Sequence, residues 1–250
     1  MKARCTECKK EYDLKQPLRK GCAECNGKML YIAEDFKGIW FSPRFALLRV
    51  KYIVENFGLE KLIKKSKFKH EREAWVTAIW ALGLSLASER TYWIEVETED
   101  STPDNYAFYI EQINGNNHKQ THAIEVADWE EHADHILTVI SDKCKNQYPK
   151  FYTLLVNCRN LNKEVVLKEL IDKLSEIEIP FGEIWTVEGK DEDLFVLTRI
   201  YPNLIQLKYS LKEALKKNSE QQDFTTFLQR NTGSEIMELG QLFMPWPTRD

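Results

Sequence analysis

Six cysteines are present, and four of them fall in a pattern that few folds can accommodate: Cys5-x2-Cys8, thirteen residues, then Cys22-x2-Cys25. Two such knuckles, each on a tight turn, aim four thiolates at one tetrahedral ion. Zn²⁺ accepts four sulfurs without strain or redox chemistry. Gly21 precedes the second knuckle and Gly27 follows it, as tight turns require. A site closed by four thiolates has no open coordination position, so such a zinc is structural. It would stiffen a small basic module unable to bury a core of its own. Two disulfides would be the other use of four cysteines, but they belong to oxidising compartments. The start, Met1-Lys2-Ala3-Arg4-Cys5, has no apolar segment behind it. It does not read as a signal peptide, and a cytoplasmic location is expected. Cys144 and Cys158 stand apart and are expected to be plain buried thiols.

The segment from about residue 3 to 34 resembles a zinc ribbon, and the first domain is set at 1–35. With 250 residues, 43% of them hydrophobic, and 7 Trp, 10 Tyr and 12 Phe, the remainder is long enough for a sizeable core and too aromatic for a disordered chain. No apolar run approaches the ~18 residues a membrane span needs, and no membrane partner is expected. The net charge of −4 is unevenly divided. Residues 1–72 hold 18 Lys/Arg against 9 Asp/Glu, and residues 73–250 hold 17 against 30. Because fields act locally, a basic front on an acidic body can still hold a polyanion. The densest basic stretch, Lys61, Lys64, Lys65, Lys67, Lys69 and Arg72, is the candidate nucleic-acid contact. A solvated helix face would carry the same charges.

Periodicity and punctuation order the rest. Residues 36–69 read as a helical basic connector. The apolar run after Pro43 predicts a helix to about Asn56 with Gly58 as its stop, then a short basic helix from Leu59 to Ser66. His70 to Ser88 is apolar on most sides and predicts a buried helix. Strands are expected at Thr91–Glu97, Asn105–Ile113 and about Lys119–Ala127, the last two joined by a hairpin at Asn114-Gly115. A helix over Trp129–Lys145, a strand over Phe151–Asn157, a helix over Leu161–Ile177 and strands over Gly182–Val187 and Asp193–Ile200 follow. The order α-β-β-β-α-β, then α-β-β, predicts an α/β fold: a central mixed sheet with flanking helices over residues 70–200. Residues 201–250 are expected to add helices at Leu204–Lys217 and Phe224–Arg230 and an extended tail from Gly233.

The chemistry is expected from acidic residues. Asp104 follows Pro103 at the start of the second strand. On the third strand, alternation puts Ala123, Glu125 and Ala127 on one face and His122, Ile124 and Val126 on the other. A covered Glu between two alanines has room beside it, and its charge needs a partner. A hard divalent cation shared with Asp104 is one such partner, and oxygen ligands suit Mg²⁺ or Mn²⁺. A Lys or Arg is another, and Asp104 after Pro is also an ordinary turn residue.

On Pro103-Asp104, Ile124-Glu125-Val126 and the element order across residues 70–158, the chain resembles the PD-(D/E)XK nuclease superfamily, the restriction-endonuclease-like fold. That resemblance implies that Asp104 and Glu125 bind the catalytic metal and that Glu73, or less readily Glu71, completes the site from the first helix. It also implies a Lys two residues after the Glu, where this chain has Ala127. Members of the family can supply that cation from the following helix, which makes Lys143 the first candidate and Lys119 the second. The activity implied is metal-dependent phosphodiester hydrolysis of DNA, with RNA second. The alternative is a catalytically inactive member that binds nucleic acid or assembles with a protein partner or a second copy. Ala127 favours that alternative, and the aromatic front at Trp40 and Phe41 and the tail at Trp246 would be its docking points. His132 and His135, with Trp129-Glu130-Glu131 ahead of them, do not form a HExxH pattern, and no Walker loop or G-x-S-x-G elbow occurs.

Overall fold

In a computed structural model, residues 2–5, 8, 10–13, 24–25, 29–32, 39–96, 102–113, 116–130, 135–159, 166–221, 226–230 and 236–241 are described. Three short strands open the chain: β1 (Lys2–Cys5), β2 (Glu11–Asp13) and β3 (Met29–Ile32). They form a separate antiparallel sheet in the order β2-β1-β3. Next come β4 (Ile39–Phe41), α1 (Pro43–Phe57), α2 (Leu59–Lys64), a single 3₁₀ turn (Ser66–Phe68) and α3 (Lys69–Ser88). Ser42 caps α1 through its Oγ, which accepts the Phe45 amide at 3.3 Å, and Pro43 takes the first helical position. Gly58 ends α1 at a φ of 86°, a conformation that a side chain would strain.

The body continues with β5 (Tyr92–Val96), β6 (Asn105–Ile113), β7 (Asn116–Trp129), α4 (Ile136–Cys144), β8 (Tyr152–Cys158), α5 (Leu167–Leu174), β9 (Glu183–Gly189), β10 (Leu194–Tyr201), β11 (Ile205–Ser210) and α6 (Leu211–Gln221). Two more strands, β12 (Thr226–Arg230) and β13 (Ile236–Gln241), close the described chain. Ten strands join in one sheet, ordered β11-β10-β9-β8-β7-β6-β5-β4-β12-β13. Strands β7, β8 and β9 are mutually parallel, linked through α4 and α5, and the other pairings are antiparallel. The protein is therefore α/β, with a mixed sheet and flanking helices. Among the described residues no helix is long and apolar enough to cross a membrane.

Alternation along the strands divides two cores. On one face, Ile124, Val126, Leu155, Trp185, Val187 and Leu197 pack against Ile79, Trp80 and Leu82 of α3 and Ala214 of α6. On the other, Ala123, Ala127, Leu154, Val156 and Ile184 pack against Ile136 and Ile140 of α4 and Leu170 and Leu174 of α5. At about 25 cal/mol per Å² of apolar surface removed from water, these two layers are the principal stabilisation of the body.

Several expectations are corrected. Trp129 ends a strand rather than starting a helix: β7 pairs with β8 as far as Trp129–Cys158, which buries the indole, and α4 begins only at Ile136. Leu204–Lys217 is a strand followed by a helix. Leu207 and Tyr209 alternate inward along β11 and pack on the α3 core, so pairing with β10 wins over helical propensity. Thr226–Arg230 is a strand as well, because β4 and β13 hydrogen-bond to its two sides. The segment 36–69 is more than a connector, since β4 joins the main sheet and α1 packs along α3. Phe41 is buried, at 1% exposure, and cannot be part of a docking front. Cys144 and Cys158 are half-buried, with thiols pushed up by burial, Cys158 to about 12. The hairpin residues 114–115 and Cys22, His132 and Trp246 lie outside the described residues.

Candidate functional site

The register of β6 on β7 runs from Ile113–Asn116 to Asn105–Ile124. One step beyond the last pair stand Asp104 and Glu125. The first α3 turns bring Glu73 to the same place, and α4 brings Lys143 from the side. All three carboxylates are buried, Glu125 to 3% exposure.

Asp104 Oδ2 accepts the Val126 amide at 2.8 Å, which ties the residue to β7. Lys69 Nζ spans two of the carboxylates, 3.5 Å from Glu73 Oε1 and 3.8 Å from Asp104 Oδ1. Burial, then repulsion from Glu73 and Glu125, pushes the Asp104 carboxyl up to about 7. His70 Nδ1 lies 3.6 Å from Glu73 Oε2, and the Glu73 carboxylate holds the imidazole above its ordinary pKa despite partial burial.

Glu125 Oε1 accepts two hydrogen bonds, from Lys143 Nζ at 2.5 Å and from the Tyr148 hydroxyl at 3.1 Å. Burial works against the Lys143 ammonium, but the hydrogen bond and charge of Glu125 outweigh it, and its pKa lies above the usual lysine value. Ala127 points to the same side as Glu125, toward α4, and lines the same cavity as Lys143. Beside this cluster opens a cavity of about 560 Å³, walled by Lys69, Arg72 and Glu73 of α3, by Val126, Ala127 and Asp128 of β7, and by Val139, Asp142 and Lys143 of α4 with Asn146 beyond it.

The structure thus draws together four residues singled out from sequence: Asp104, Glu125, Glu73 and Lys143. The second choices lie elsewhere. Glu71 faces Arg49 at 3.5 Å within the packing of α1 on α3, and burial pushes the arginine down to about 10. Lys119 sits 3.4 Å from Glu95 and over the Phe108 ring. The basic stretch divides. Lys69 and Arg72 line the cavity, although Arg72 Nη1 also donates to the Leu62 and Lys65 carbonyls at 2.7 and 3.0 Å. Lys61 and Lys65 are exposed, Lys64 pairs with Glu60, and Lys67 lies over Phe57 and Phe68. Tyr148 was missed as a site residue. Nothing in its local sequence marks it, since its contact with Glu125 spans 23 positions.

Among the described residues, Glu125 Oε2 is buried without a hydrogen-bond partner, a costly state for a carboxylate oxygen, and Glu73 Oε2 has only the His70 ring facing it at 3.6 Å. Among the described residues, no group of three or more His, Cys, Asp or Glu side chains is gathered closely enough to hold a metal ion as it stands. In the front sheet, Cys5 ends β1, and Cys8 and Cys25 lie exposed on turns. Comparison with protein-family models, with curated proteins and with solved structures finds no match for this chain.

Proposed function

We propose that the body is a restriction-endonuclease-like domain of PD-(D/E)XK type and that the chain is a metal-dependent nuclease hydrolysing phosphodiester bonds of DNA. The observation that carries this reading is the convergence of Asp104, Glu125, Glu73 and Lys143 beside one cavity, three buried acids and a cation drawn from α3, β7, α4 and the turn before β6. Asp104 and Glu125 would hold Mg²⁺ or Mn²⁺. Mg²⁺ keeps several of its waters and needs only one or two protein carboxylates, so a pair suffices. When bound, the ion supplies a Lewis acid for the phosphate and acidifies water at neutral pH.

The chain's own groups have distinct tasks. The Val126 amide fixes Asp104. Lys143 would set a cation beside Glu125 where negative charge gathers on the phosphate. Glu73 adds a third acid, and Lys69 and Arg72 at the cavity wall attract the backbone of the polyanion. Cys5, Cys8, Cys22 and Cys25 would carry a structural zinc in the front sheet.

One observation favours the non-catalytic reading. Lys143 neutralises Glu125 at 2.5 Å, as a buried structural pair would. Cleavage assays separate the two. The full chain is incubated with plasmid, single-stranded DNA and RNA in Mg²⁺ or Mn²⁺. Cleavage that a chelator stops, and that Glu125→Gln and Lys143→Ala each lower by about a hundredfold or more, is the expected result. Binding without cleavage selects the inactive nucleic-acid binder, and neither activity, with a stable co-purifying partner, selects the protein-assembly subunit.

A further inference from the structure

Both donors to Glu125 converge on a single oxygen. Lys143 Nζ and the Tyr148 hydroxyl meet Oε1, while Oε2 of the same 3%-exposed residue is buried with no hydrogen-bond partner among the described residues. A buried ion pair kept for stability alone gains by spreading its donors over both oxygens, because each unpaired one forfeits its hydration. Here the asymmetry is held in place. The Tyr148 ring packs 4.6 Å from Phe181, itself 2% exposed, and 5.9 Å from Tyr152. Asn146 Nδ2 lies 3.4 Å from the Tyr148 hydroxyl oxygen and leaves the hydroxyl proton to Glu125.

We propose that Tyr148 is a positioning residue, saturating Oε1 together with Lys143 so that Oε2 is the oxygen left for a divalent cation. The inference rests on the metal-site reading above and adds to it an outer hydrogen bond of the kind that orients metal-binding carboxylates. Tyr148 touches neither the phosphate nor the ion. It restricts the Glu125 side chain, and the aromatic packing against Phe181 supplies the rigidity.

The test is Tyr148→Phe in the full chain, which keeps the ring and its packing and deletes one hydroxyl. Mn²⁺ binding is measured by calorimetry, and the Mg²⁺ dependence of cleavage is followed in parallel. Tyr148→Phe is expected to weaken Mn²⁺ by about tenfold. Its cleavage midpoint should shift to higher Mg²⁺, with the rate at saturating Mg²⁺ returning to within about twofold of the parent. In a Glu125→Gln background the hydroxyl deletion should change Mn²⁺ affinity no further. Unchanged Mn²⁺ affinity, or a lowered melting temperature as the sole effect, overturns the Tyr148 assignment and leaves the metal site standing. A parent chain that binds no Mn²⁺ overturns both.

Discussion

His122 sits on the opposite face of β7 from Glu125, its ring 5.2 Å from Trp80 and close to Tyr92 and Tyr109. Burial holds its pKa below 6.5; Arg90 pushes the same way, and Glu183 opposes them. The folded protein therefore binds this proton less readily than the unfolded chain. The stability contributed by the neutral ring is full above 6.5 and is lost as pH falls through the lower folded value. Glu71 and Asp104, both raised by burial, act in the other direction, so the informative quantity is a difference between proteins. Between about pH 7.5 and about pH 5.5, His122→Leu should lose less of its melting temperature than the parent. Thermal unfolding at the two pH values decides it, and equal losses would rule out His122 as the group responsible. The lysine that the resemblance implies two residues after Glu125 is absent from β7, and the cation that meets Glu125 comes from α4 instead, as Lys143.

At the scale of elements, Gly83 lets α3 lie close over β10 and β11. A Cβ there would fall 2.4 Å from Leu197 Cδ1 and 2.7 Å from Tyr209 Cε1. Both neighbours are buried, and the Tyr209 hydroxyl is further tied to the Ile79 carbonyl, so neither is free to move aside. Alanine would gain about 1 kcal/mol of helix propensity. Overpacking should outweigh it, and Gly83→Ala is expected to be about 1–3 kcal/mol less stable by urea unfolding. A stabilised variant would mean that the helix sits further from the sheet. The same layer explains what was hard to read in the chain. The α3 helix and strands β5 to β10 announce themselves by apolar period and by turns such as Asn-Gly. Strand β11 carries its alternation in only Ile205, Leu207 and Tyr209, and the charged residues around them read equally well as a helix. Trp129 likewise looks like a helix start until its pairing with Cys158 is known.

For the whole molecule, the two sheets are hydrogen-bonded separately, and the excess positive charge of residues 1–72 spans both. If the front sheet is stapled by zinc as proposed, the purified chain should carry about one zinc, lost in Cys8→Ser, while the melting temperature of the body stays unchanged. Elemental analysis with thermal unfolding measures both, and a chain isolated without zinc would remove the ribbon from the account. The sequence by itself determined the α/β class, the order of most elements and the face of β7 on which Glu125 lies, because those properties are written in the period of neighbouring residues. The tertiary structure decided the contacts: Lys143 and Tyr148 meet Glu125, while Lys119 pairs with Glu95 and Glu71 with Arg49. Glu125 meets Lys143 from 18 positions away and Asp104 meets Val126 from 22. Such meetings depend on how helices lie across a sheet, and packing geometry sets that through contacts between segments that no local pattern records.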